Sequence, residues 1–234
     1  MMGVFDLSPT EWTAILLSLR VAVVATLVAT PLGIAVAWLL ARREFWGKPV
    51  LDALIHLPLV LPPVVTGYLL LLTFGRRGMV GAWLADHLGI VFAFRWTGAA
   101  LACGIMSFPL LVRPIRLSIE AVDRRLEQAA STLGAAPWRV FTTVTLPLAL
   151  PGVLAGMVLG FAKAIGEFGA TITFVSNIPG ETQTISSAIY SLIQTPDGDA
   201  AAMRLVVVSI VIAMGALIAS EFFARRATQR LHGS

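Results

Sequence analysis

Apolar residues in this chain come in long, nearly unbroken runs, with no sustained alternation of apolar and polar positions. The first runs from about Trp12 to Ala41 and closes at Arg42-Arg43, with Lys48 close behind. The second, Leu51 to Phe74, contains Leu57-Pro58-Leu59-Val60-Leu61-Pro62-Pro63, where missing N–H donors predict a bent or interrupted helix. The third covers about Thr97 to Val112 and leads into Arg113-Pro114-Ile115-Arg116. The fourth runs from about Phe141 to Phe174 through Pro147 and Pro151, and the fifth is Leu205 to Phe223. A helix needs about 20 mostly apolar residues to cross the hydrocarbon of a bilayer. The pattern predicts an all-α, polytopic membrane protein with about five transmembrane helices, residues 1–234 forming a single transmembrane domain.

Composition strengthens this picture. Of 234 residues 57% are hydrophobic and only 13% charged, and the mean hydropathy is +0.86, more apolar surface than a soluble core of this size hides. The 17 Lys and Arg exceed the 13 Asp and Glu. Their short tracts beside apolar runs are a topology signal rather than a nucleic-acid footprint, and no nucleic-acid partner is expected. The single cysteine, Cys103, excludes a disulfide within the chain. Met1 to Glu11 carries Asp6 and Glu11 and no basic residue, so the first run is expected to stay as a membrane helix.

With five crossings, eleven basic residues fall on one side: Arg42, Arg43, Lys48, Arg113, Arg116, Arg124, Arg125, Arg139, Arg225, Arg226 and Arg230. Four fall on the other, namely Arg76, Arg77, Arg95 and Arg204, while Arg20 and Lys163 lie within apolar runs. The positive-inside rule then predicts an N-terminus outside and a cytoplasmic C-terminus. Arg76-Arg77 dissents from the asymmetry. An outer loop from about 176 to 203 includes Ile185 to Gln194, expected as a short helix too polar to span.

The largest cytoplasmic segment, about 117 to 143, is where chemistry enters. Asp123 is placed to N-cap a helix on which Leu126, Ala129, Ala130 and Leu133 recur at helical spacing. Gly134 supplies a left-handed stop and Pro137 opens a second helix. Two alanines keep the face shallow, which suits either close approach by another protein or packing on the chain's own membrane domain.

Glu127-Gln128-Ala129-Ala130-Ser131-Thr132-Leu133-Gly134, followed after nine residues by Val144-Thr145-Leu146-Pro147, resembles the EAA loop of binding-protein-dependent ABC importers. Gln128 stands where that family usually has Glu. The resemblance implies a coupling helix that inserts into a cleft of a separate ATPase subunit, with Glu127, Gln128, Ala129, Ala130, Leu133, Gly134, Leu146 and Pro147 as the coupling loop. It extends to the permease subunits of bacterial molybdate importers through His56 to Val65, Met106-Ser107-Phe108-Pro109-Leu110, Gly166 to Phe174, and Ser176-Asn177-Ile178-Pro179-Gly180-Glu181-Thr182. Sulfate permeases share a similar Gly-Glu-Phe-Gly core. The implied assembly is a homodimer of this chain in the bacterial inner membrane, with two ATPase copies and an extracytoplasmic molybdate-binding protein. ATP and Mg would sit on the ATPase, and no cofactor is expected in this chain.

Lys163 and Glu167, four residues apart in the fourth run, are ionisable groups at membrane depth, which are costly unless paired or facing a cavity. With Phe168, Gly169 and Thr171 they are candidates for the translocation path or gate, the alternative being a self-satisfied pair that sets helix orientation. Arg20 is expected to snorkel toward the outer interface. His56, His87 and His232 lack metal-ligand spacing, and no phosphate-binding Gly-x-x-x-x-Gly-Lys-Ser/Thr sequence occurs, so no metal site and no ATP hydrolysis are expected in this chain. The competing readings are a sulfate, thiosulfate or tungstate permease, a passive anion channel, and an intramembrane hydrolase. The last lacks a histidine in the runs that hold Ser107, Ser118 and Cys103.

Overall fold

The computed structural model describes the backbone of residues 7–232 and the side chains of residues 7–219, so the side chains of Arg225, Arg226 and Arg230 lie outside the described residues. Eleven α-helices follow in order: α1 (Pro9–Arg42), α2 (Lys48–Val60), α3 (Pro63–Phe74), α4 (Met79–Leu88), α5 (Trp96–Ala121), α6 (Arg124–Thr132), α7 (Pro137–Val140), α8 (Leu146–Ile165), α9 (Gly169–Val175), α10 (Ile185–Leu192) and α11 (Asp199–His232). Among the described residues there is no strand.

The first helix shows how local chemistry sets a boundary. Ser8 caps it, its Oγ accepting the Glu11 N–H at 3.2 Å, and the Glu11 carboxylate accepts the Ser8 N–H at 2.6 Å. Pro9 fills the first helical position, where its missing donor costs nothing.

Helices α1, α5 and α8 form the centre. Helix α1 runs parallel to α5, with Arg20 beside Trp96, Gly33 against Leu111, and Arg42 hydrogen-bonded to the Val122 carbonyl at 3.2 Å. Helix α8 returns antiparallel. A Cβ placed on Gly156 would stand 2.6 Å from the Leu111 carbonyl oxygen, and Gly152 lies against Ser118 and Pro114. Small residues four apart let the two backbones approach, the usual route to tight packing where lipid supplies no hydrophobic drive. About 61% of the most apolar stretch of α5 is buried, against 11% for α11, which makes α5 the axis of the bundle and α11 a peripheral helix.

Among the described residues four spans are long and apolar enough to cross a bilayer: α1, α5, the stretch from α7 through α8, and α11 to Ala219. The fifth candidate span is broken. Helices α2 and α3 meet at Leu61-Pro62 with a bend of 114°. Near the start of α2, Asp52 bonds Arg116 at the far end of α5 at 3.0 Å. At the end of α3, the Phe74 ring meets Phe92, whose carbonyl lies against Gly98 in the first turn of α5. Those contacts are separated by about 27 Å along α5 at 1.5 Å per residue. The bent pair therefore travels nearly the full depth of the bundle.

Three expectations need correction. The third run does not stop at Arg113, since α5 continues to Ala121 through Pro109 and Pro114. The fourth run is not one helix: α8 ends at Ile165 and α9 restarts at Gly169, because the chain breaks at Gly166-Glu167-Phe168 rather than at either proline. Helix α4 lies where no element was expected, and it ends at Gly89, whose φ of 65° is left-handed. The expected outer helix forms as α10, tied to α1 by an Ile185 N–H donating to Ser18 Oγ at 2.7 Å.

Candidate coupling and translocation sites

The segment between α5 and α8 carries the candidate coupling loop. Asp123 caps α6, its carboxylate accepting the Arg125 N–H at 2.9 Å, and Gly134 ends the turn with φ 86°. Pro137 opens α7, which runs through a π-helical turn, Phe141–Thr145, into α8. The π turn stands just ahead of Pro147, which has no N–H to bond the Thr143 carbonyl. The widened turn, closed by the Leu146 N–H on the Phe141 carbonyl, carries the chain past that position without ending the helix. The Thr142 and Thr143 hydroxyls add bonds to the Arg139 carbonyl at 3.2 and 2.6 Å. Leu146 packs inward against the α1–α5–α8 core.

No residue of α6 is buried. Leu126 is half exposed and Ala129 is exposed, while Leu133 in the turn is 89% exposed and Trp138 on α7 is 66% exposed. Leu126, Ala129 and Leu133 share the outward face. Ala130, expected on the same face, is half-buried on the flank, three residues on from Glu127. Gln128 is exposed.

Glu127 turns away from this face. Its Oε1 accepts from Arg42 Nε at 3.2 Å, from the second Arg42 nitrogen at 3.1 Å and from the Thr145 hydroxyl at 2.5 Å. The same Arg42 group also bonds the Val122 carbonyl. One carboxylate thus joins α6 to the end of α1 and to the π turn. Arg42 and Thr145 are functional candidates that sequence reasoning missed: Arg42 counted only as a topology charge, and the 85 residues separating it from Glu127 leave no local signal. Nearby, a hydrogen bond from Lys48 Nζ at 2.6 Å holds the Glu44 carboxyl below the usual carboxylate range, with the charges of Lys48, Arg116 and Arg124 adding to the effect.

The second candidate site lies at the break between α8 and α9. Lys163 Nζ donates to Glu167 Oε2 at 2.6 Å, and the Ala170 N–H donates to Glu167 Oε1 at 3.0 Å, so the carboxylate also satisfies a donor in the buried first turn of α9. Glu167 is 2% exposed, whereas Lys163 retains some exposure. Cys103 Sγ lies 3.5 Å from the Ala164 carbonyl, which places this break about 10 Å down α5 from Trp96. The break in α2–α3 sits alongside, since a Cβ on Gly169 would be 2.8 Å from the Cβ of Pro63, and Gly67 lies against Ala170 and Thr173. Two interrupted helices therefore meet at one level. Phe168 is half-buried, its ring tilted by 42° against that of the exposed Tyr190 with centroids 4.9 Å apart. Thr171 is buried with its hydroxyl on the Phe168 carbonyl at 2.9 Å. The five residues are brought together, yet Glu167 and Thr171 are enclosed by their partners and only Lys163, Phe168 and Gly169 keep exposed surface.

The loop of residues 176–203 is built rather than loose. The Thr182 hydroxyl accepts the Ile178 N–H at 2.9 Å, Asn177 Nδ2 donates to Ser191 Oγ at 2.7 Å, and Arg204 pairs with Glu11 at 2.9 Å, pinning the start of α11 to the start of α1.

Relatives match over nearly the whole chain. It is 61% identical over 224 residues to the molybdenum transport system permease protein ModB of Escherichia coli (strain K12), covering 96% of this chain and 98% of that one. With the protein of the same description from Haemophilus influenzae the identity is 57% over 221 residues, covering 94% and 96%. Among solved structures, a bacterial alginate ABC transporter in complex with an alginate pentasaccharide-bound periplasmic protein matches with a TM-score of 0.75. The identity there is 20%, covering 97% of this chain and 82% of that one, which establishes a shared fold. Residues 29–230 match the family described as the binding-protein-dependent transport system inner membrane component, and this chain is a member of that family.

Proposed function

We propose that this chain is the permease subunit of an ATP-driven importer that carries molybdate, receiving its cargo from an extracytoplasmic binding protein and its energy from a separate ATPase. The observation that carries the cargo is 61% identity across almost the full length to a molybdenum permease. The geometry supports the coupling: an exposed apolar face on α6 suits a docking cleft, and Glu127 ties that helix to α1 and α8, which run the depth of the bundle. Two copies of the chain enclose the path about a two-fold axis, each docked on one ATPase. The eleven-to-four distribution of basic residues favours a cytoplasmic α6 and an outer α10.

In the cycle, ATP draws the two α6 helices together and turns the cavity outward, and hydrolysis returns it inward. The loaded binding protein must favour the outward state, because a partner with equal affinity for both states shifts no equilibrium. The hydrogen-bonded outer loop offers it a preformed surface. Reconstituted vesicles test the proposal. Labelled molybdate uptake should require ATP, the ATPase and the binding protein, and tungstate should compete while sulfate does not. Uptake without ATP would mean a passive channel, and equal uptake of sulfate would move the chain to the sulfate branch.

A further inference from the structure

Helices α1, α2 and α5 leave between them a groove of about 600 Å³ that no part of the mechanism above uses. Its walls are almost wholly apolar and include Val28, Leu32, Leu54, Pro58, Leu101 and Gly104. It runs down α5 from Trp96 to Phe108, about 18 Å at 1.5 Å per residue. One leaflet of a bilayer is about 15 Å of hydrocarbon, half of the roughly 30 Å core. The groove has the length of one acyl chain's leaflet and opens beside Val28 and Leu32, each about 60% exposed.

A cation stands at the mouth of the groove. The Arg20 guanidinium lies 3.8 Å over the Trp96 ring, and Arg20 is exposed. Among the described residues no carboxylate lies within ion-pair distance of it. Tryptophan favours the headgroup level of a membrane, and arginine forks match phosphate geometry. We infer that this groove binds one anionic phospholipid, its phosphate on Arg20 beside Trp96 and one acyl chain laid along α5 between α1 and α2. The charge at the mouth separates this occupant from a neutral lipid. A second copy of the chain related by a two-fold axis along the membrane normal would bring its own Arg20 to the same depth, setting like charges at the seam.

Fluorescence of the full chain in vesicles tests this, using phosphatidylglycerol or phosphatidylcholine brominated on the acyl chains as quencher and taking the Trp96 signal as the difference between wild type and Trp96→Phe. Brominated phosphatidylglycerol should reach half-maximal quenching at a mole fraction roughly tenfold lower than the choline lipid, whose own ammonium offsets the charge of the same phosphate and so weakens its attraction to Arg20. Arg20→Gln should bring the two curves together, and Arg20→Lys should restore most of the separation. Gly104→Leu should weaken quenching by both lipids, because a Cβ there meets nothing closer than 3.8 Å and the longer side chain enters the groove. Equal quenching by both lipids in the wild type would overturn the inference. So would a preference that survives Arg20→Gln, or an efficient disulfide between two copies of Val28→Cys in a Cys103→Ser background, which would make a second chain the occupant.

Discussion

Glu127 and Glu167 are two carboxylates drawn inward, each met by a cation and by one further hydrogen-bond donor, but they are built in different ways. Glu167 is satisfied within its own stretch of chain, by Lys163 four residues before and the Ala170 N–H three residues after. Glu127 depends on distant residues, Arg42 from the end of α1 and Thr145 from the π turn. A locally satisfied carboxylate holds one helix break in shape and transmits little. A carboxylate shared by three elements couples them, so a displacement of α6 must move α1 and the base of α8 or break the network. The geometry supports a local structural role for the Lys163–Glu167 pair and suits the Glu127 network to transmission between elements.

The largest effect on stability is expected at the Lys163–Glu167 pair. Lys163→Met leaves the enclosed Glu167 without its cation, a loss of about 3–5 kcal/mol for an unpaired buried charge. It should appear as a lower melting temperature and a poor yield in detergent. Adding Glu167→Gln should recover most of that loss, since removing both charges leaves nothing uncompensated, and the double variant should keep its cargo preference in vesicle uptake. A single variant as stable as the double would show that the pair carries no coupling.

Glu127→Ala strands Arg42 and the buried Thr145 hydroxyl, and because the Arg42–Glu127 pair retains some exposure to water the expected cost is smaller, about 2–3 kcal/mol. Combined with Arg42→Met in a double-mutant cycle it should give a coupling energy of about 1–3 kcal/mol, measured by thermal unfolding. ATP-driven uptake should fall more than stability explains, and normal uptake at full expression would remove the transmitting role. Thr145→Val removes a single hydrogen bond to the same carboxylate and should cost about 1–1.5 kcal/mol.

The smallest effect on stability is expected from Leu133→Asp. The side chain is 89% exposed and nothing in the chain depends on it, so unfolding should shift by no more than about 0.5 kcal/mol. Co-purification with the ATPase should nevertheless be lost. Intact assembly and transport in this variant would show that α6 docks by another face.

The Lys163–Glu167 contact was legible because four residues is a spacing that one turn of helix converts into proximity. The helix break that actually positions Glu167 was not. Pro147 and Pro151 lie within the fourth run, yet the π turn and the body of α8 absorb them, while Gly166 and Gly169 carry the interruption. Helix α6 was legible from Asp123, its apolar spacing and Gly134. Which of its residues look outward was not, because Glu127 is turned in by an arginine 85 residues upstream and Ala130 on the same flank is half-buried with it.

By itself the sequence determined the class of this protein, the presence of several apolar spans, the proline-broken second run and the existence of a short capped helix between the third and fourth runs. Each of these follows from local chemistry: run length against bilayer thickness, missing proline donors, cap residues and helical period. Only the tertiary structure decided that two breaks meet at one level, that Glu127 faces Arg42 and Thr145, and that a groove beside α5 reaches Trp96, over which Arg20 lies. Those outcomes depend on which helices pack together and in what register. That is settled where glycines such as Gly152 and Gly156 allow backbones to touch, and no spacing along one segment contains it.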